Sequence, residues 1–342
     1  MRRASENASK REPIRVVAMG GGTGLSTLLR GLKQFVAAQQ HPDQKLPIAD
    51  LAAIVTVTDD GGSSGRLLRE YRILPPGDIR NCLVALSQDE ALLGRLFQYR
   101  FQSGRGLQGH SFGNLFLTAL TKVTGDFTEA VRLCSEVLAI RGRIFPSTPQ
   151  LVTLEAVKQD GRVVAGETKI SRIRGGIFRV RLVPRRPRPQ PEVLEAIRQA
   201  DLILMGPGSL YTSIIPNLLV AGVAAALRKS RATRVYIANL MTQPGETEGY
   251  TVAEHVRAIH EHTGGRVFDW VVMNHAQISP KLLARYRAQG AEPVAADLPA
   301  LQKLGLRCVY DDLVEEFGVV RHDAARLTRL LLEEFVQRRA PK

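Results

Sequence analysis

Asp59 and Asp60 stand side by side at the end of an apolar, β-branched run, Ile54 to Thr58, and Gly61, Gly62, Ser63, Ser64 and Gly65 follow them. An acid at the end of a second strand often accepts hydrogen bonds from a ribose. Two adjacent carboxylates are also a candidate Mg²⁺ site, because that ion takes one or two carboxylates and fills its shell with phosphate oxygens and water. The plainer alternative is turn chemistry, for which Asp before Gly is ordinary. The serines and glycines that follow supply hydroxyl and N–H donors at the same place.

The same grammar occurs three times. A strand-like run ends in a special loop, and the loop opens a helix. Besides "VTDDGGSSGRLL", the chain has "AMGGGTGLSTLL" with Gly21, Gly22, Thr23 and Gly24, and "LMGPGSLYTSIIPN" with Gly206, Pro207, Gly208 and Ser209. Glycine lets a backbone come close to a ligand, and the free N–H groups of a helix start favour an anion. The first loop is not a Walker A loop, since no Gly-Lys-Ser/Thr follows it. It is not a full dinucleotide fingerprint either: Thr27 stands where the third glycine would be.

Further candidates are Gly77, Asp78 and Asn81 in "LPPGDIRNCLVALS", Gly113 and Asn114 in "GHSFGNLFLTAL", and Asn239 and Asn274, each at the end of an apolar run. For Asp78 and Ser111 taken singly, capping of a helix is the stronger reading. His255 falls on an apolar helical stripe and reads as a core residue, as does Cys82. His260 and His262 fall off their stripe and read as solvated, while His110 and His322 flank loops. The chain has no defensible Ser-His-Asp order, metal-binding histidine pair or nucleophile elbow.

These residues need strands to carry them and helices to cover the strands. "IRVVAMG", "LAAIVTVTDD", "DLILMGPGS", "RVYIANLM" and "FDWVVMNHA" read as buried strands. Helical stripes lie between them: Leu25, Leu28, Leu29, Leu32 and Phe35; Ile79, Cys82, Leu83 and Leu86; Phe112, Leu115, Phe116, Ala119 and Leu120; Phe127, Val131, Cys134 and Val137. Thr251 and Glu254 form a capping box, and Asp323 caps a last amphipathic helix. Repeated β-α-β predicts an α/β fold with a mostly parallel sheet and helices on both faces. The middle differs. "LVTLEAVKQDGRVVAGETKI" and "IFRVRLVPRRPRPQP" read as extended segments, a β-rich excursion over about residues 150–190. We expect a disordered basic tail over residues 1–12 and a single α/β domain over 13–340.

The formal net charge of +14 points to anionic partners. Arg172, Arg174, Arg179, Arg181, Arg185, Arg186 and Arg188 concentrate it in the middle stretch, but no aromatic platform or nucleic-acid-reading motif accompanies them, which argues against nucleic acid. Three scattered cysteines speak against disulfides and for a reducing cytoplasm. No apolar run is long enough for a membrane span, and the polar start is not a secretory signal.

Taken in order, "GGGTGLSTLLRGL", "VTDDGGSSGRL", "PPGDIRNCL", "GHSFGNL", "GPGSLYTSIIPNLL" and "ANLMTQPGET" resemble the gluconeogenesis factor family, the YvcK-like proteins, which are relatives of the CofD-like 2-phospho-L-lactate transferases. The resemblance runs from about Ile14 to Gln337. It implies a Rossmann-like three-layer α/β sandwich that binds a nucleotide or nucleotide sugar, with UDP-N-acetylglucosamine the foremost ligand. It also implies a regulator tied to gluconeogenic growth, cell-wall synthesis and cell shape, with a protein partner in wall synthesis and a homo-oligomer, a dimer, as the expected assembly. The transferase branch uses Mg²⁺ and carries an acidic pair that Asp59 and Asp60 match, so a Mg-dependent transferase is the alternative. "VVRHDAARL" resembles the family's closing motif and implies Arg321 as a diphosphate contact. A dehydrogenase of the NAD type is argued against by the broken fingerprint.

Overall fold

The structure is a computed structural model and describes residues 12–37, 47–88 and 92–337. The tail expected over residues 1–12 lies outside the described residues except for Glu12.

Strands β1 (Ile14–Gly20), β2 (Ile48–Val55), β3 (Arg143–Pro146), β7 (Leu202–Met205), β8 (Thr233–Ile237), β9 (Trp270–Asn274) and β10 (Arg307–Asp311) form a seven-stranded sheet. Every pairing in it is parallel, in the order β10-β9-β8-β7-β1-β2-β3. Parallel strands covered on both faces are continuously apolar, and Val16 to Met19, Leu51 to Val55 and Leu202 to Met205 are all buried. The chain builds outward from β1 to β3, then returns and builds the other way from β7 to β10. Right-handed crossovers therefore place the helices of the two halves on opposite faces. The direction reverses between β1 and β7, and a crevice opens there at the carboxyl ends of the strands.

Strands β4 (Thr153–Lys158), β5 (Val163–Ala165) and β6 (Ile177–Val183) form a separate antiparallel sheet in the order β5-β4-β6, with the turn at Gln159 to Gly161. The segment "ETKI", read as extended, is instead the start of a helix, Glu167–Arg172. A short hairpin, β11 (Val314–Glu316) and β12 (Val320–His322), precedes the last helix, Ala324–Leu332. No single helix among the described residues is long and apolar enough to cross a membrane.

Local expectations hold where caps are concerned. Ser111 Oγ accepts the Asn114 N–H, Thr251 and Glu254 close their box, and Asp323 accepts from Ala325 and Arg326. Asp78 differs: the helix Gly77–Leu86 is preceded by Pro76, and Asp78 lies inside its first turn. The helix Phe112–Thr124 buries Asn114, Leu117, Thr118 and Thr121 rather than the expected stripe, and Ala119 is exposed. Its aromatic residues Phe112 and Phe116 pack instead against Phe97 of the helix Leu92–Gln98. His260 and His262 are half-buried rather than solvated, and His262 Nε2 accepts the Val180 N–H at 3.0 Å, which ties β6 to the helix Val252–Thr263.

Candidate functional site

Beyond β1, Gly21 is extended and Gly22 takes φ +61°, and the helix Gly22–Leu32 begins. The first N–H groups of a helix lack intrahelical partners and leave partial positive charge there. Beyond β7, Gly206 turns at φ +88° and its N–H donates to Met19 O at 2.9 Å, which holds the second loop against the first strand. The two loops touch. A Cβ on Gly24 would stand 2.4 Å from Pro207 O, so only a bare backbone fits.

A cavity of about 450 Å³ lies over this junction, within the usual range for a small-molecule site. Gly21, Gly22, Thr23 and Gly24 line it together with Pro207, Gly208, Ser209, Asp78, Asn239 and Arg321. Asn239 Oδ1 accepts the Gly208 N–H at 3.4 Å and steadies the second loop. Arg321 and His322 arrive from β12, whose Val320 N–H donates to the Tyr286 hydroxyl at 3.0 Å.

The cavity is electrically uneven. On the β2 side Asp78 meets Glu167, which the helix Glu167–Arg172 brings in from the antiparallel sheet. Burial pushes the Asp78 carboxyl up to about 7; Asp59 adds to the rise and the Gly22 N–H opposes it. Glu167 is raised well above the ordinary range by burial, then by Asp78 and Asp59. Arg321, Tyr286 and Gln289 line it as well, with Gln243, whose Nε2 donates to Ser209 Oγ at 2.7 Å. His322 is buried and held down at about 4, hence neutral.

The remaining expected residues sit beside the cavity rather than on it. Asp59 Oδ1 accepts the Gly61 N–H at 2.9 Å. Asp60 Oδ1 accepts the Thr168 N–H at 2.9 Å and so caps the helix that carries Glu167. The two carboxylates are thus engaged by different elements, and among the described residues no group of three or more acids, histidines or cysteines is placed to hold a metal ion. Ser64 and Gly77 pack together, a Cβ on Gly77 falling 2.5 Å from Ser64 Oγ. Ser63 Oγ meets His110 Nδ1 at 2.9 Å and accepts from Asn114 Nδ2 at 3.1 Å, a buried network. Asn81 Oδ1 accepts from Arg80 at 2.7 Å, and Gly113 packs on Arg80. Asn274 serves its own loop, accepting the Ala276 and Leu313 N–H groups.

Glu167, Gln243, Tyr286, Gln289 and His322 line the cavity without having been singled out for it. Gln243 stands within the quoted "ANLMTQPGET", which was a visible signal. Glu167 had none, because its segment read as strand.

The pH dependence of binding follows from Asp78. Below about 7 the carboxyl beside Gly22 is neutral, and above it a negative charge stands next to the helix start at Gly22. Affinity for a diphosphate diester, whose own charge is constant in this range, should fall several-fold from pH 6 to pH 8. Calorimetry across that range checks it, and Asp78→Asn should flatten the profile; an equal slope in both proteins would exclude Asp78 as its source.

The chain is similar to known proteins along nearly its whole length. Residues 16–314 match the family described as 2-phospho-L-lactate transferase CofD. The gluconeogenesis factor of Halalkalibacterium halodurans is 48% identical over 319 residues, 93% of this chain and 95% of that protein. The gluconeogenesis factor of Bacillus subtilis is 47% identical over 320 residues, 93% of this chain and 97% of that protein. A crystal structure of a UPF0052 family member from Bacillus halodurans superposes with a TM-score of 0.88 at 46% identity, covering 94% of this chain and all 100% of that one. With its motifs in order and its parallel sheet matched by that structure, the chain belongs to the CofD family and, within it, to the gluconeogenesis factors.

Proposed function

We propose that the crevice binds a UDP-sugar, UDP-N-acetylglucosamine foremost, and that the chain is a cytoplasmic regulator. In this reading it couples gluconeogenic carbon supply to cell-wall synthesis and cell shape through a protein partner, as a homodimer. One observation carries the ligand class: two glycine loops meet at the reversal point of a parallel sheet, where backbone N–H groups and a helix start converge on one cavity. Such a place suits a diphosphate. The relatives' name supports the metabolic role.

Calorimetric titration with UDP-N-acetylglucosamine, with and without Mg²⁺, tests the ligand. Micromolar binding is the expected result. No heat and no thermal shift at millimolar ligand would exclude it.

The family description favours a second reading, a transferase of the 2-phospho-L-lactate type. Product formed from any phospholactyl donor and acceptor pair would establish it.

A further inference from the structure

We propose that Glu167 is the residue that determines which sugar the crevice accepts, and that the ligand lies with its sugar toward β2 and its base toward β9. This inference rests on the nucleotide-sugar reading and deepens it.

The cavity runs across the carboxyl ends of the strands, and its parts are chemically distinct. The glycine loops over β1 and β7 occupy its middle, so the diphosphate belongs there. Asp78 and Glu167, with Asp59 behind them, occupy the β2 end. Carboxyl groups repel phosphate but hydrogen-bond well to a ring of hydroxyls. The β9 side, where the helix Pro280–Ala288 follows that strand, offers the Tyr286 ring and the Gln289 amide, partners suited to a flat base with carbonyl acceptors and an imide N–H.

Glu167 is singled out from Asp78 by its freedom. Asp78 takes the Gly22 N–H and so braces the loop. Glu167 has a single weak contact, from Thr58 Oγ1 to Oε2 at 3.4 Å, which leaves its other oxygen to the cavity. Burial, then Asp78 and Asp59, raise its carboxyl above the ordinary range, and a carboxyl that keeps its proton both donates and accepts. It is also held firmly from behind. Asp60 caps its helix at Thr168, and Gly166, at φ +96°, lies against the Asp60 carboxylate. A group fixed in this way discriminates strongly, because a ligand lacking the matching hydroxyl leaves it unpaired.

The test compares UDP-N-acetylglucosamine with UDP in the wild-type protein, Glu167→Ala and Glu167→Gln. The expected wild-type preference is for the sugar nucleotide. Glu167→Ala should lose about tenfold in affinity for UDP-N-acetylglucosamine, one hydrogen bond's worth, while UDP binds as before or better. Glu167→Gln, which also donates and accepts, should keep most of the preference and serves alone if the alanine variant does not fold, its ratio then changing between UDP-glucose and UDP-N-acetylglucosamine. An unchanged ratio of affinities in both variants would overturn the assignment and leave the ligand class standing. A wild-type protein that binds neither nucleotide would overturn both.

Discussion

Gly24→Ala should weaken nucleotide-sugar binding by ten- to a hundredfold and lower the melting temperature by several degrees. The added methyl would stand 2.4 Å from Pro207 O and 2.8 Å from Pro207 C, both backbone atoms. Neither can rotate away, so one loop must move. Overpacking of this kind costs about 1–3 kcal/mol. The larger effect is on the ligand, because the atoms displaced are those that shape the proposed anion site. The Gly208 N–H lies next to the clash, 3.1 Å from the methyl position. Loss of one hydrogen bond to a charged group is about 1.5–3 kcal/mol, which sets the range of the affinity loss. Gly106→Ala is the control, since nothing lies within 4 Å of its Cβ position. Titration and thermal melting of both variants decide the matter. Wild-type affinity in Gly24→Ala would mean that the loops do not hold the phosphates.

The glycine loops were legible because the signal is local. Three apolar runs ended in glycine-bearing loops, and a parallel sheet collects such ends on one edge. What sequence could not show was which of the three loops would share a cavity. Strand order decides that, and strand order is set by crossovers far apart in the chain. β1 and β7 became neighbours, so the loops at Gly22 and Gly208 meet; β2 lies one place further out, so Asp59 and Asp60 stand behind Asp78 instead of on the wall. The edge strands β3 and β10 were not visible either. "RIFP" is short and ends in proline, and "RCVYD" is half-exposed, with none of the continuous apolar character of a central strand. The run Ile54 to Thr58 was read as strand to its end, yet pairing stops at Val55 and the buried residues Thr56 to Thr58 cross the sheet edge as a loop.

Glu167 shows the opposite case. Its segment has the β-branched residues of a strand, and the sequence nearby is a hairpin. The helix exists because distant groups complete it: Asp60 at its start, 108 positions away, and Lys158 at its end. Local propensity is a weak prior against tertiary contacts of this kind.

Lys158 carries the second large effect. It is 1% exposed, and its Nζ donates to Ile170 O at 3.2 Å, Ile173 O at 2.8 Å and Gly245 O at 2.8 Å. The first two carbonyls belong to the end of the Glu167 helix, whose last carbonyls have no partners within it. The third belongs to the loop that carries Gln243 into the cavity. One ammonium group thus joins the antiparallel sheet, the helix and the wall of the crevice. Lys158→Met keeps the apolar stem and removes the donor, leaving three carbonyls to find water or go unpaired. Each buried orphan costs about 1–3 kcal/mol, and partial rehydration makes a total near 3–4 kcal/mol reasonable. At about 2 °C per kcal/mol for a chain of this size, the melting temperature should fall by roughly 6–8 °C. Amide exchange should rise first around residues 158–173 and 243–248, because the sheet β5-β4-β6 is pinned there while the parallel core is not. Nucleotide-sugar affinity should drop together with the loosening of Glu167, and UDP affinity should change less. A variant that melts within a degree of the wild type, with unchanged exchange, would show that the carbonyls are satisfied without the lysine and that the antiparallel sheet needs no such anchor.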